Sequence, residues 1–251
     1  MAQTWDLLRG DTSSWPDRPF YLAAIRRFGE PALDVGCGTG RLLLDYLAQG
    51  IDIDGVDNSP EMLELCQQRA APLGLSPNLY LQQMEELALP RRYRTICVPS
   101  SSFQLVLDLG AANRSLERIF AHLRPGGALV MPFIALGRPG QPLEESWTRE
   151  AVSDDGMLVR RTAWARFDPQ TQLESTRDVY ELIRGGQVVA SEVHERSPAT
   201  RGYTLAQARR MLEDAGFEVL GVVGGFSDQP YDPKSDEIFS VTAVRRAGHG
   251  R

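Results

Sequence analysis

Short apolar runs alternate with amphipathic segments over the first 133 residues of the chain. The runs have the length of buried strands, and the segments between them repeat apolar residues at helical spacing. This alternation is typical of βα units wound around a parallel sheet. It predicts five strands, at residues 31–36, 51–57, 79–84, 95–100 and 128–133.

Residues that favour helix ends mark the segments between these strands. Gly50 closes a helix predicted at residues 40–50, while Ser59 suits an N-cap and Pro60 the first helical position of the next helix. Residues 113–123 predict a further helix. We therefore expect residues 1–133 to form N-terminal helices and a mainly parallel α/β core.

The hydrophobic period changes to two after residue 156. Three predicted strands, separated by the turn sequences DPQT and RGG, occupy residues 157–167, 173–183 and 187–197. Residues 134–156 predict a loop. We expect residues 134–200 to be an inserted antiparallel meander that serves as a lid or as a dimerisation surface.

The pattern of the core returns in residues 201–247. Thr204 suits the N-cap of a helix that ends at Gly216, and two more strands are predicted at residues 218–225 and 236–246. These strands bring the predicted main sheet to seven. The tail from residue 247 is expected to fray.

Composition and charge narrow the class of protein. The 251 residues carry a formal charge of −6, which disfavours a phosphate-backbone substrate. No segment approaches the roughly 20 apolar residues of a membrane span, so we expect a soluble, cytoplasmic protein. Cys37, Cys66 and Cys97 lack zinc-ligand spacing, and their odd number argues against a disulfide framework. We expect no metal.

Residues 33–57, LDVGCGTGRLLLDYLAQGIDIDGVD, pass from a strand through three glycines into a helix and back to a strand. Such a turn is expected to place bare backbone N–H groups beside a ligand. The glycines follow G-x-G-x-G, and Arg41 stands where the dinucleotide fingerprint has its last glycine. Asp57, 19 residues beyond Gly38, can accept both hydroxyls of a ribose. The stretch predicts a nucleoside site and disfavours a pyrophosphate.

LDVGCGTG followed by GVDNSPEML resembles the class I S-adenosylmethionine (SAM)-dependent methyltransferases. Residues 79–106 are similar to the family's adenine-contacting segment and fourth strand, and residues 203–219 to its late helix and strand. The resemblance covers nearly the whole chain and is weakest in the insertion. It implies a Rossmann-like, doubly wound, mainly parallel seven-stranded sheet, with SAM as cofactor and S-adenosylhomocysteine as product.

The resemblance also implies roles for individual residues. Backbone at Gly36, Cys37 and Gly38 would meet the methionine part of SAM, and Asp57 its ribose. The remaining implied cofactor contacts are Asn58 and Met62 near the adenosine, Gln83 and Met84 at the adenine, and Val98, Pro99 and Ser100 by the methyl.

Two positions depart from the family pattern. Gln83 and Met84 replace a common acid and apolar pair, although a glutamine carbonyl still accepts a hydrogen bond from an adenine amino group. Tyr93 and Arg94 replace a common aromatic and aspartate pair at the fourth strand. We assign Arg94 no role.

Three side chains are candidates for the methyl-transfer chemistry. Tyr21 lies in a helix that covers the cofactor in similar methyltransferases, so it is a catalytic or cofactor-lid residue or an ordinary packing residue. His194 is a candidate general base or a hydrogen-bonded strand residue. Arg196, on the same strand face, would hold an acidic acceptor or form a cross-strand ion pair.

Residues near the end of the fourth strand are candidates for acceptor contacts. Ser101, Ser102 and Phe103 follow that strand, where open α/β sheets bind ligands, although serines also make caps and turns. Tyr231 lies in residues 224–237, which resemble a closing loop of the family.

The favoured function is methyl transfer to nitrogen or oxygen of a small molecule, with no nucleic-acid or membrane partner and with a homodimer as an option. The alternatives are a SAM-binding regulatory module without catalysis and a methyltransferase for a macromolecule. A nicotinamide-dependent oxidoreductase is disfavoured by the glycine spacing.

Overall fold

A computed structural model describes residues 2–138, 140–153 and 155–246 of the protein. Its eleven strands, in chain order β1 to β11, are Ala32–Val35, Ile53–Asp57, Leu79–Leu81, Tyr93–Cys97, Leu123–Ile134, Glu144–Val152, Leu158–Asp168, Leu173–Arg184, Gln187–Arg201, Phe217–Gly224 and Ile238–Arg245. Its α-helices α1 to α6 are Ala2–Arg9, Asp17–Phe28, Leu43–Ala48, Pro60–Ala70, Leu109–His122 and Leu205–Asp214. The tail from residue 247, predicted to fray, lies outside the described residues.

The chain divides into two compact units. One contains residues from Ser13 to Ala135 and from Tyr203 onward, and the other contains residues up to Thr12 together with Leu136–Gly202. The break points lie close to the ends of the predicted insertion, residues 134–200. Helix α1 groups with the insertion and not with the core, because it packs on β6 and β7.

A seven-stranded sheet, in the order β10–β11–β5–β4–β1–β2–β3, forms the centre of the first unit. Pairs among β1 to β5 are parallel, while β11 runs antiparallel to both β5 and β10. The predicted doubly wound, mainly parallel seven-stranded sheet is confirmed. Because β1, β2 and β4 are parallel neighbours, the loops after them leave from the same edge.

Two clusters of buried apolar side chains hold helices against this sheet. One joins α5 and α6 to the strands through residues such as Leu116, Leu212 and Phe133. The other joins α2, α3 and α4 through residues such as Tyr21 and Leu43. The strands are apolar on both faces because helices cover both faces.

The second unit contains an antiparallel sheet with the strands in sequence order, β6–β7–β8–β9. The three predicted strands are β7, β8 and β9. Strand β6 was predicted as loop, and its side chains are almost all exposed, so they show no buried face with period two. Among the described residues, no helix is long and apolar enough to cross a membrane.

Candidate cofactor and acceptor site

Three loops meet at the edge of the seven-stranded sheet where β1, β2 and β4 end. The glycine loop, residues 36–40, follows β1, and β2 and β4 pair with β1 on either side. A Cβ atom on Gly36 would lie 2.7 Å from the Oγ atom of Ser102, in the loop after β4. The fold therefore places the glycine loop and the β4 loop in direct contact.

Asp57 links the end of β2 to the glycine loop. Its carboxylate accepts hydrogen bonds from the backbone N–H of Gly38 at 2.8 Å and of Ser59 at 2.9 Å. Ser59 is the predicted N-cap of α4, and its hydroxyl accepts from the N–H of Met62 at 3.3 Å. Each carboxylate oxygen of Asp57 has a further lone pair with which to accept a ligand hydroxyl.

The backbone N–H groups of the glycine loop are already engaged. Those of Gly36 and Cys37 donate to the carbonyl of Val56 at 2.8 and 3.1 Å, and that of Gly38 donates to Asp57. The expectation of bare N–H groups at these three residues is therefore wrong, because the loop folds back onto β2. These three N–H groups are therefore not available to bind a phosphate.

The glycines of the loop differ in what surrounds them. A Cβ atom on Gly40 would lie 2.6 Å from the Sγ atom of Cys66, so packing requires glycine there. A Cβ atom on Gly38 would meet no heavy atom within 4 Å. Gly38, with φ of 54°, thus borders open space in which a ligand can approach the backbone.

Asp34 is a buried carboxylate in β1, directly before the glycine loop. It is 3 % exposed, and its Oδ1 atom has no hydrogen-bond partner among the described residues. Burial raises the pKa of this carboxyl to about 7; Arg41 opposes the increase, whereas Asp57 and Asp17 add to it. An unpaired buried carboxylate is costly unless a cation is bound beside it.

Tyr21 provides a second buried polar atom without a partner. Its side chain, in α2, has no exposed surface, and its hydroxyl has no hydrogen-bond partner among the described residues. Its ring packs against Phe20 and Phe226, with ring centroids 5.5 and 6.1 Å away. Burial, followed by Cys97, Asp17 and Asp34, raises the pKa of this phenol well above its usual range, so it stays a donor.

Comparison with known proteins identifies the family. A family model described as a methyltransferase domain matches residues 32–127, which contain Asp34, the glycine loop and Asp57. This segment is a methyltransferase domain of the class I SAM-dependent type. Its cofactor is SAM.

The similarity to other proteins extends over nearly the whole chain. A putative methyltransferase of Geobacillus sp. is 22% identical over 96% of each chain. An aminosugar N,N-dimethyltransferase of Streptomyces fradiae, acting on dTDP-3-amino-3,6-dideoxy-α-D-glucopyranose, is 27% identical over 90% of this chain and 86% of its own. The crystal structure of a SAM-dependent methyltransferase from Clostridium acetobutylicum superposes with a TM-score of 0.79 at 20% identity, covering 96% of this chain and 95% of that one.

The remaining predicted cofactor residues follow β2, β3 and β4. Asn58 and Gln83 are exposed, whereas Met62 and Met84 are half-buried. At the end of β4, Val98 and Pro99 are buried and Ser100 is exposed. All seven thus lie in segments that leave the same edge of the sheet.

The loop after β4 has an unusual backbone. Ser100 and Ser101 adopt φ angles of 55° and 56°, in the left-handed region that side chains other than glycine seldom occupy. Ser102 stabilises the turn, since its N–H and hydroxyl both donate to the carbonyl of Pro99, at 3.0 and 2.7 Å. Two consecutive residues of this kind are typical of a ligand-binding loop.

Two predicted acceptor residues take part in core packing. Phe103 has no exposed surface and packs against Phe133 and Tyr203, with ring centroids 5.8 and 5.7 Å away. The ring of Phe103 is therefore part of the aromatic core, and its predicted acceptor contact stays a prediction. Tyr231 is half-buried and packs against Phe239, with ring centroids 5.2 Å apart.

His194 and Arg196 lie on β9, in the other unit. The Nε2 atom of His194 is 3.0 Å from the Oε1 atom of Glu192, and its ring meets that of Tyr180 edge-on at 5.5 Å. The cross-strand neighbour of Arg196 is Thr176. No described carboxylate pairs with Arg196, so the cross-strand ion pair considered from the sequence is absent among the described residues.

Sequence reasoning missed Asp34. The available signal was an acid placed between Leu33 and Val35 in a strand otherwise apolar enough to be buried. It also missed the contact of Arg41 with Asp17, which are 24 residues apart in the chain. No local pattern predicts a pair at that separation.

Proposed function

We propose that this methyltransferase transfers the methyl group of SAM to a nitrogen or oxygen atom of a small molecule. The observation that carries the proposal is the pair of unpartnered buried groups, Asp34 and Tyr21, beside the glycine loop. The amino-acid end of SAM carries one ammonium and one carboxylate. The carboxylate of Asp34 can accept a hydrogen bond from that ammonium, and the phenol of Tyr21 can donate one to the carboxylate of SAM.

The other proposed cofactor contacts come from segments at the same edge of the sheet. Asp57, held by two backbone N–H groups, would accept the ribose hydroxyls. Asn58 and Met62 would lie near the adenosine, and Gln83 and Met84 near the adenine. Gly36, Cys37 and Gly38 would line the methionine part through their backbone.

SAM supplies a methyl group already activated on a sulfonium. The protein's task is to align the acceptor with that methyl group and to exclude water, which contributes several kcal/mol through approximation. Val98, Pro99 and Ser100, at the strained turn after β4, would lie by the methyl group, with Ser101 and Ser102 near the acceptor. Tyr21 serves as a cofactor contact in this account, because a phenol with a strongly raised pKa is a poor base at neutral pH.

His194 is our candidate general base for an acceptor that must lose a proton. Glu192 at 3.0 Å can orient its imidazole, and Tyr180 packs against the ring. Arg196, on the same strand face and free of ion pairs with described carboxylates, would attract an acidic group of the acceptor. Tyr231 is a further candidate acceptor contact.

The net charge of the protein and its similarity to a sugar-amine methyltransferase support a small acceptor. The formal charge of −6 would repel a nucleic acid. The Streptomyces fradiae relative is named for a sugar amine as acceptor. A macromolecular acceptor is the competing proposal, and it would need a positively charged surface large enough for its partner.

The test is to incubate the purified protein with methyl-labelled SAM and a whole-cell extract and to separate labelled products by size. Label in the small-molecule fraction, absent with the Gly38→Ala variant, would support the proposal. Label confined to protein or RNA would overturn the acceptor class. Mass spectrometry of the labelled product would then identify the methylated atom.

A further inference from the structure

Arg41, directly after the glycine loop, forms a buried ion pair with the first residue of α2. Its guanidinium donates through both terminal nitrogens to the carboxylate of Asp17, with Nη1 3.0 Å from Oδ1. The two side chains are 9% and 5% exposed. The guanidinium carbon also lies 5.0 Å from the ring centre of Trp15. Removing the two charges from water costs about as much free energy as their attraction gains. A buried ion pair is therefore weak evidence that the two residues serve stability alone.

The same guanidinium acts on Asp34. Burial raises the pKa of Asp34, and Arg41 is the charge that opposes this increase. The following titratable and charged groups act on Asp34, or Asp34 acts on them: Asp17 and Tyr21 of α2, Cys37 of the glycine loop, Arg41 directly after that loop, Tyr46 of α3, Asp57 of β2, Cys66 of α4 and Cys97 of β4. Arg41 is the one cation in that set.

The ion pair also fixes the helix that carries Tyr21. Asp17 and Tyr21 are four residues apart in α2, so they lie on the same helix face. Pro16, at the N-cap, provides no side-chain hydrogen bond to the first turn. The bidentate contact with Arg41 therefore ties this turn to the glycine loop and holds the Tyr21 face of α2 toward it.

We propose that Arg41 is a positioning residue of the cofactor site, which clamps α2 onto the glycine loop and supplies the positive charge between Asp17 and Asp34. Arg41 acts through its two carboxylate neighbours and not by contact with SAM. This inference rests on the proposed roles of Asp34 and Tyr21.

The test compares the SAM affinity of Arg41→Met and Asp17→Asn with that of the unsubstituted protein between about pH 6 and pH 8.5, by isothermal titration calorimetry. At each pH the ratio of variant to unsubstituted affinity is taken, so the titration of SAM itself cancels. Thermal melts of the ligand-free variants show whether each remains folded. Arg41→Lys retains the charge without the bidentate geometry.

The two substitutions should act in opposite directions. Arg41→Met removes the charge that favours the Asp34 carboxylate, so its deficit in affinity should be largest at the low end of this pH range and shrink as the pH rises, by at most about tenfold per unit for one linked proton. Asp17→Asn removes a repelling charge, so its relative affinity should be highest at low pH. Arg41→Lys should restore the pH profile of the unsubstituted protein.

A structural role alone would make both substitutions reduce affinity by a constant factor at every pH, and that result would overturn the inference. If Arg41→Met does not fold, a ratio for Asp17→Asn that is independent of pH would still overturn it. The variant Asp57→Ala shows whether the role of Arg41 alone is wrong or the proposed SAM site as a whole is wrong. Unchanged affinity in folded Asp57→Ala refutes the site itself, whereas weakened affinity there with pH-independent ratios refutes only the role of Arg41.

Discussion

Asp34→Asn should make the ligand-free protein more stable and its binding of SAM weaker. Asp34 is buried and has an unpartnered oxygen, and burial raises its pKa from 3.8 to about 7. A carboxyl whose pKa is higher in the folded state loses stability as the pH rises from its unfolded value toward its folded value. Above pH 7 the folded protein therefore pays the full cost of an ionised Asp34, and asparagine removes that cost.

The magnitude follows from the pKa. At about 1.4 kcal/mol per unit, a pKa about three units above 3.8 corresponds to about 4 kcal/mol of destabilisation above pH 7. The asparagine amide leaves its own N–H groups without partners, which costs about 1–2 kcal/mol. The variant should thus be more stable by about 2 kcal/mol near pH 8. About 2.5 kcal/mol of this difference is lost on going to pH 5, where the variant should be no more stable than the unsubstituted protein. SAM affinity should fall by about tenfold to a hundredfold, because a charge-assisted hydrogen bond is lost.

Urea denaturation at both pH values measures the stability, and calorimetric titration measures the affinity. Asp54→Asn is the matched control, since Asp54 is fully buried but accepts hydrogen bonds from Asn78, Arg91 and Tyr93 at 3.0, 2.9 and 2.8 Å. That variant should be destabilised by about 3 kcal/mol at either pH. A stability difference for Asp34→Asn that does not change with pH would refute the reasoning.

Three further predictions concern other residues of the protein. Tyr21→Phe removes a hydroxyl without a partner, so thermal melts should show no loss of stability while SAM affinity falls by about tenfold; a clear drop in melting temperature would contradict this. Gly38→Ala should cost only about 1 kcal/mol of stability but most of the SAM affinity, whereas Gly40→Ala should unfold at clearly lower urea because its Cβ meets Cys66; equal stability losses would count against the open space at Gly38. His194→Gln should lower the rate of methyl transfer in steady-state assays and leave SAM affinity unchanged; an unchanged rate would remove His194 as base.

Much of the first unit could be predicted from sequence because its signals are local. Apolar runs mark β1 to β5, Ser59 caps α4 as predicted, and Thr204 forms a capping box with Gln207 at the start of α6. Helix α3 is shorter than predicted and begins at Leu43, because the glycine loop extends its turns through Leu42.

The features that were missed depend on tertiary contacts or on the absence of a buried face. Strand β6 is exposed along most of its length, so hydrophobicity does not mark it. Phe103 follows β4 like Ser101 and Ser102, which are also predicted acceptor contacts, but only the structure shows that its ring turns into the core. The engaged N–H groups of the glycine loop depend on Val56 and Asp57, about 20 residues away.

The most direct test of the cofactor site is a calorimetric titration of SAM into Asp57→Ala. Asp52→Ala is the control at the opposite end of the same strand, because Asp52 precedes β2 and pairs with Arg91. If Asp57 holds the ribose, Asp57→Ala should weaken SAM binding tenfold to a hundredfold, about 1.4 to 2.8 kcal/mol, and Asp52→Ala should leave it unchanged. Unchanged affinity in a folded Asp57→Ala protein would contradict this role.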